Sequence, residues 1–188
     1  MLHHNLKLPY TPALEPYELN ERALVIDTET IGRGQTLEVI EIAIADHRGR
    51  IIFESLVKPS VNRLPPLSKH HRFERSEFET APDWAEVWPE LSKVIENKLL
   101  VAYNAAYDRR ALAVTCALHR LSSNERAWRC AMQLVKTRMG LRHSPTLGEA
   151  CALFGLEGGN HRARRDTEAL CEMLRKVCRM TAVGKGGG

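Results

Sequence analysis

The chain has 188 residues, 44% of them hydrophobic and 27% charged, with a formal net charge of +4. This suits one globular domain with a full core, since a chain of this size buries roughly 70% of the surface its extended form exposes. No apolar run approaches the ~20 residues of a membrane span, and no signal-peptide-like apolar stretch follows Met1, so a cytoplasmic protein without a membrane partner is expected.

Residues 1–22 lack periodicity and carry Pro9, Pro12 and Pro16, which predicts an extended N-terminal arm. An apolar strand is predicted over 23–28, a second over 39–45 and a third over 51–57, with His47-Arg48-Gly49-Arg50 as a hairpin turn between the last two. Helical spacing runs over 83–97, with Trp84, Val87, Trp88, Leu91 and Ile95 on one face. A fourth strand is predicted over 99–103. Asn104 is placed as the cap of a helix to about Arg120, with Tyr107, Ala111, Val114 and Leu118 as its inward stripe. Residues 128–135 read as a short strand turning into a helix. Thr146 to Phe154 reads as a helix ended by Gly155, and a last helix runs from Ala163 to about Met180. The globular body therefore spans 23–181, and residues 182–188 form a Gly-rich tail. Five cysteines without a CxxC pair read as free thiols of a reducing compartment, not as a disulfide framework or a zinc site.

Three aspartates carry the functional signal. Asp27 and Glu29 end the first apolar run, one residue apart. Asp108 follows the fourth strand at a helix start. Asp166 follows His161 by five positions. Side chains alternate along a strand, so Asp27 and Glu29 share a face with Cα atoms ~6.6 Å apart. Two carboxylates that close in an apolar setting are costly unless a cation sits between them. A lone Asp-x-Glu is weak, since a chain of this length contains roughly one by chance; its position at the end of a buried strand, with two further acids placed alike, makes the set specific. Mg²⁺ takes oxygen ligands and leaves room for water and phosphate. Two such ions ~3.5–4 Å apart can clamp the attacking and leaving oxygens of an in-line displacement. Asp27, Glu29 and Asp166 are assigned to the nucleophile-side ion, with Asp27 bridging to a second ion on which Asp108 acts. His161 is the candidate general base, because an imidazole titrates near neutral pH. Arg109, Arg110, Arg162, Arg164 and Arg165 crowd these motifs as a basic rim that would attract phosphates.

Ile26-Asp27-Thr28-Glu29-Thr30, Tyr103-Asn104-Ala105-Ala106-Tyr107-Asp108 and His161-x-Ala163-x-x-Asp166 resemble the three exonuclease motifs of the DEDD superfamily, His subclass, which includes the DnaQ-type proofreading subunits. The resemblance covers about residues 22–180. It implies an α/β, ribonuclease-H-like fold with a mixed five-stranded sheet flanked by helices. It also implies 3′→5′ exonuclease activity with two Mg²⁺ or Mn²⁺ ions and release of nucleoside 5′-monophosphates. It places Thr30 and Asn104 beside the terminal nucleotide, with His71 and Phe73 approaching the substrate. The chain departs from the family's pattern at Tyr103 and Tyr107, where His and Phe are common. It departs again at Ile31-Gly32-Arg33, where Gly and a large apolar residue usually follow the threonine. No metal ligand is lost, so these departures bear on how the terminal base is held.

The expected substrate is the 3′ end of single-stranded DNA. The rivals are the same chemistry on RNA, and a non-catalytic subunit that kept the fold; the second should have lost one of the five site residues, and none is lost. Asn5-Leu6-Lys7-Leu8-Pro9 weakly resembles a sliding-clamp-binding peptide. The arm and the tail are tether points for a polymerase, a clamp or another nucleic-acid complex such as a CRISPR adaptation machine, against the plainer expectation that the arm packs or is disordered.

Overall fold

In the computed structural model, residues 11–60 and 73–180 are described. His71, the segment Asn5 to Pro9 and the Gly-rich tail lie outside them. The described strands are β1 (Ala23–Ile31), β2 (Glu38–Asp46), β3 (Ile51–Leu56), β4 (Leu99–Ala102) and β5 (Ala127–Cys130). The helices are α1 (Trp84–Ile95), α2 (Ala105–Leu118), α3 (Ala131–Arg138), α4 (Leu147–Leu153) and α5 (Ala163–Val177). The strands form one mixed sheet in the order β3-β2-β1-β4-β5. β1, β2 and β3 form an antiparallel meander, and β4 and β5 run parallel to β1. The expected α/β, ribonuclease-H-like mixed sheet is therefore present.

Strand β1 is central and buried on both faces, as its unbroken apolar run requires. Leu24 and Ile26 point into a core with α1 and α2, including Trp84, Leu91 and Leu112. Ala23 and Val25 point into a second core with α4 and α5, including Leu170 and Leu174. Helix α1 begins at Asp83, whose carboxylate accepts from Glu86 N at 3.0 Å while Glu86 accepts from Asp83 N at 2.8 Å, a reciprocal capping box. Trp84 and Trp88 stack at 5.8 Å inside the first core, so they serve packing.

The expectations for α2 hold only in part. Its buried residues are Ala105, Asp108, Ala111, Leu112, Val114, Thr115 and Cys116, so Ala111 and Val114 face inward as expected, whereas Tyr107 and Leu118 are each 46% exposed. The stripe is rotated because the buried Asp108 must face the sheet, which turns Tyr107 toward solvent. Asn104 stands at the N-cap position but makes no capping side-chain bond. The described part of the N-terminal arm is packed against the body. Cys130 N donates to Pro12 O, Leu14 N donates to Cys130 O, and Leu14 is fully buried, so the segment covers the open edge of β5. Arg129 fixes it by pairing with Glu18 at 2.8 Å.

The β1–β2 ladder contains a bulge. Glu29 faces Glu41 and Thr30 faces Val39, so Ile40 is an extra residue. Val39 N instead donates to the buried Thr115 Oγ1 at 3.0 Å, and that hydroxyl donates to Ala111 O at 2.8 Å. Thr115→Val keeps the shape but leaves the Val39 N–H without this acceptor. It should cost about 1–3 kcal/mol, read in urea unfolding as a lower midpoint with an unchanged m value; an unchanged midpoint would show that the bulge does not depend on Thr115.

Candidate active site

The site forms where β1 outruns β4. The two strands pair only over Ala23–Val25 and Leu99–Val101, so the end of β1 opens a crevice that the first turn of α2 enters. Thr28 there donates its N–H to Asp108 Oδ1 at 3.1 Å and its hydroxyl to the same oxygen at 2.9 Å. Asp108 is thereby locked beside β1, buried at the positive end of α2.

Asp27 and Glu29 continue the row of Val25 toward α5. Asp166 enters from the first turn of α5, and its Oδ1 accepts from Asn160 N at 2.8 Å and His161 N at 3.1 Å. A Cβ at Gly159 would collide with that carboxylate, so only glycine lets the chain pass so close. His161 takes a left-handed backbone conformation, φ +61°. One ligand atom from each of Glu29, His161 and Asp166 lies within 4.8 Å of the others.

Burial pushes the Asp27 carboxyl well above the ordinary range, and repulsion from Asp108, Asp166, Glu29 and Glu41 adds to it. Glu29 is pushed up to about 8 by burial and then by Asp166, Glu41 and Asp108, with Arg162 pulling the other way. Burial raises Asp108 to about 7 against the bonds from Thr28. Asp166 is raised by burial, with the N–H groups of Asn160 and His161 opposing. The structure thus gathers Glu29, His161 and Asp166 into one cluster, with Asp27 and Asp108 near enough for the carboxyl groups to repel one another. The donors are hard carboxylate oxygens with one imidazole, and a divalent cation's charge here would reverse the direction of the carboxyl shifts. The residues present therefore fit a divalent metal.

The outer residues are placed less uniformly. Thr30 Oγ1 lies 2.6 Å from Tyr107 Oη, a bond between β1 and α2 that the departure from Phe makes possible. Asn104 is exposed at the start of α2. Phe73 is largely buried against Phe78, with the Arg162 guanidinium 4.5 Å from its ring centroid. Sequence reasoning missed Glu41, the cross-strand neighbour of Glu29, which accepts from Ala163 N at 2.6 Å and Arg162 Nε at 3.0 Å. Its signal was an acid inside an apolar run, Val39-Ile40-Glu41-Ile42. The basic rim also differs from expectation. Arg162, Arg164 and Arg165 each pair with glutamates of the protein, because acids recur one helical turn away or on the adjoining strands.

The raised carboxyls set a pH dependence. The folded state keeps protons that the unfolded carboxyls release near pH ~4, so stability is fully present below that point and falls as pH rises toward the folded values. Glu29 and Asp108 place this loss between about 4 and 8. With a chelator, the melting temperature should fall over that interval, Glu29→Gln should reduce the slope, and Mg²⁺ or Mn²⁺ should raise the melting temperature most at the alkaline end. A chelated protein that grows more stable toward pH 8, and gains nothing from either ion, would contradict the electrostatics described.

Residues 24–174 match the exonuclease family RNase_T. The chain is 30% identical to the uncharacterized exonuclease CP81 of Escherichia phage 186, over 90% of this chain and 91% of that protein. It is also 30% identical to the PolC-type DNA polymerase III of Thermotoga petrophila, over 88% of this chain but only 12% of the polymerase. Among solved structures, exonuclease X in complex with 5′-overhanging duplex DNA superposes with a TM-score of 0.64 at 24% identity, covering 85% of this chain and 95% of that one. The nuclease domain of 3′hExo, a DEDDh family member bound to rAMP, gives 0.62 at 18% identity, covering 85% and 94%. Those likenesses carry the fold, and the family match carries the activity class: the chain belongs to the RNase_T exonuclease family.

Proposed function

We propose that the protein hydrolyses single-stranded DNA from its 3′ end, releasing nucleoside 5′-monophosphates with two Mg²⁺ ions, for which Mn²⁺ substitutes. The single observation that supports this most is the grouping of Glu29, His161 and Asp166 within 4.8 Å, beside an Asp27 that is repelled by both Asp108 and Asp166. DNA is favoured over RNA because a DNA polymerase is among the relatives at 30% identity. The neighbour holding rAMP supports RNA as the second reading.

Asp27, Glu29 and Asp166 would hold the nucleophile-side ion, and Asp27 with Asp108 the other. Bound divalent ions supply positive charge to the scissile phosphate and lower the proton affinity of the attacking water. His161 takes that water's proton through its imidazole. Its position on an exposed turn ahead of α5 suits a group that must pass the proton on to solvent. Thr30, Asn104, His71 and Phe73 would surround the terminal nucleotide, with Thr30 oriented by Tyr107. Thr28 holds Asp108 so that its second oxygen is available to a cation. Among the described residues no helix is long and apolar enough to cross a membrane. A cytoplasmic location, with a polymerase, a clamp or another nucleic-acid complex as partner, is part of the same reading.

Asp27→Ala should abolish cleavage and leave the fold intact, because it removes a ligand and relieves repulsion; retained Mg²⁺-dependent cleavage would remove Asp27 from the metal set. His161→Ala should slow cleavage by about 10²–10⁴, the usual worth of a general base. A loss under about tenfold at neutral pH would assign the proton to another group.

The substrate is tested by digesting 5′-labelled single-stranded DNA, duplex DNA and RNA side by side, with Asp27→Ala as control. A ladder that shortens from the 3′ end, fastest on single-stranded DNA, is expected. Faster shortening of RNA would replace the DNA reading with an RNA-trimming one.

A further inference from the structure

Arg162 stands between His161 and the start of α5, and three side chains converge on it or on the turn it occupies. Its Nε donates to Glu41 Oε1 at 3.0 Å and its Nη2 lies 2.9 Å from the same oxygen. The same Nη2 lies 3.1 Å from Glu77 Oε1. Its guanidinium carbon sits 4.5 Å from the Phe73 ring centroid. The other oxygen of Glu41 takes the backbone N–H of Ala163 at 2.6 Å. Glu41 therefore holds the turn at both its side chain and its backbone, from a strand whose register with Glu29 is fixed.

We propose that Arg162 is a positioning residue: its forked contacts to Glu41, Glu77 and Phe73 fasten the His161 turn and the Phe73–Glu77 segment to β2, so that the base and the Phe73 segment are set as one unit. The proposal deepens the exonuclease reading and rests on it for the roles of His161 and Phe73. Three arguments carry it. First, His161 is in the left-handed region, a strained state for a side-chain-bearing residue that persists only where neighbours impose it. Asp166 holds the turn on one side through the His161 N–H, and Glu41 holds it on the other through Arg162 and Ala163. Second, the planar fork of arginine can bond Glu41 and Glu77 while its face lies on an aromatic ring, a combination lysine cannot reproduce. Third, the contacts join segments distant in sequence, residues 41, 73–77 and 162, at one partly buried point. Displacing either segment therefore displaces the other.

The test compares wild type with Arg162→Ala, Arg162→Lys and Glu77→Gln on labelled single-stranded DNA, with folding checked by circular dichroism and melting. The second readout is the His161 ring signal in ¹³C-histidine NMR of the protein without nucleic acid, assigned by its loss in His161→Ala. Arg162→Ala should lower kcat by about 10–100-fold, the scale of an ångström misplacement of a catalytic group, and shift the His161 signal. Arg162→Lys should not recover the rate, and methylguanidinium should restore part of it to the Ala variant but not to wild type. Glu77→Gln should act chiefly on KM, because it frees the Phe73 segment and leaves Glu41 in place. Arg162→Gln replaces the Ala variant if that one does not fold. A folded Arg162 variant with kcat within threefold of wild type, or with an unmoved His161 signal, overturns the proposal. A wild-type protein that cleaves no substrate would instead count against the exonuclease substrate reading, and the NMR comparison would still decide on the positioning role.

Discussion

Everything in this structure is arranged around carboxylates held too close together. Asp27, Glu29, Glu41, Asp108 and Asp166 repel one another in a crevice largely removed from water. Such a group settles either by keeping protons or by taking up cations. The surrounding backbone is built to tolerate the charge. Asp108 and Asp166 each lie in the first turn of a helix, where the dipole favours an anion. Each accepts N–H groups freed by irregular backbone: Thr28 past the end of β4, Asn160 and His161 in the turn before α5. These contacts offset only part of the repulsion, since all four of Asp27, Glu29, Asp108 and Asp166 stay raised, and divalent charge would act in the same direction.

This constraint explains why the site was largely legible in the sequence. A buried strand ending in two acids is costly without a ligand, so Asp27 and Glu29 announce a cation without any knowledge of the fold. Asp108 and Asp166 were legible because each follows a recognisable break, an apolar strand in one case and a Gly-rich turn in the other. The sheet was legible for a similar reason, since runs such as 23–28 and 99–103 are too apolar to lie at the surface. What escaped was whatever depended on rotation or long-range pairing. Tyr107 was assigned inward because it is aromatic and suitably spaced; burial of Asp108 one position on turns it outward. Glu41 was hidden because its partner, the Arg162 turn, is 121 residues away. The Ile40 bulge, which sets where Glu29 meets Glu41, has no local signature at all.

The packed arm belongs to the same category. Prolines at 12 and 16 and the lack of periodicity say only that residues 11–22 form neither helix nor regular strand. That Leu14 is fully buried depends on β5 being an open edge. Edges attract unpaired backbone, and here the protein covers its own with the chain that leads into β1. The strand carrying Asp27 and Glu29 is thereby tied to the far side of the sheet before it reaches the crevice.

The charge distribution then has a consequence for how nucleic acid is drawn in. The net charge of +4 suggests a basic surface waiting for phosphate. Yet Arg162 is committed to Glu41 and Glu77 at a partly buried point, and releasing it would disturb the turn that carries His161. Arg164 and Arg165 hold exposed pairs instead, which water screens and which give way at small cost. The rim therefore divides by burial: its outer arginines are available to steer a polyanion, while its inner one is structural. Within the crevice, carboxyls that keep their protons offer phosphate no attraction and ionised ones would repel it, so the protein's own charge there does not favour a nucleic-acid end. Divalent cations would supply the positive charge that a phosphate needs there, which would couple substrate binding to metal binding through electrostatics.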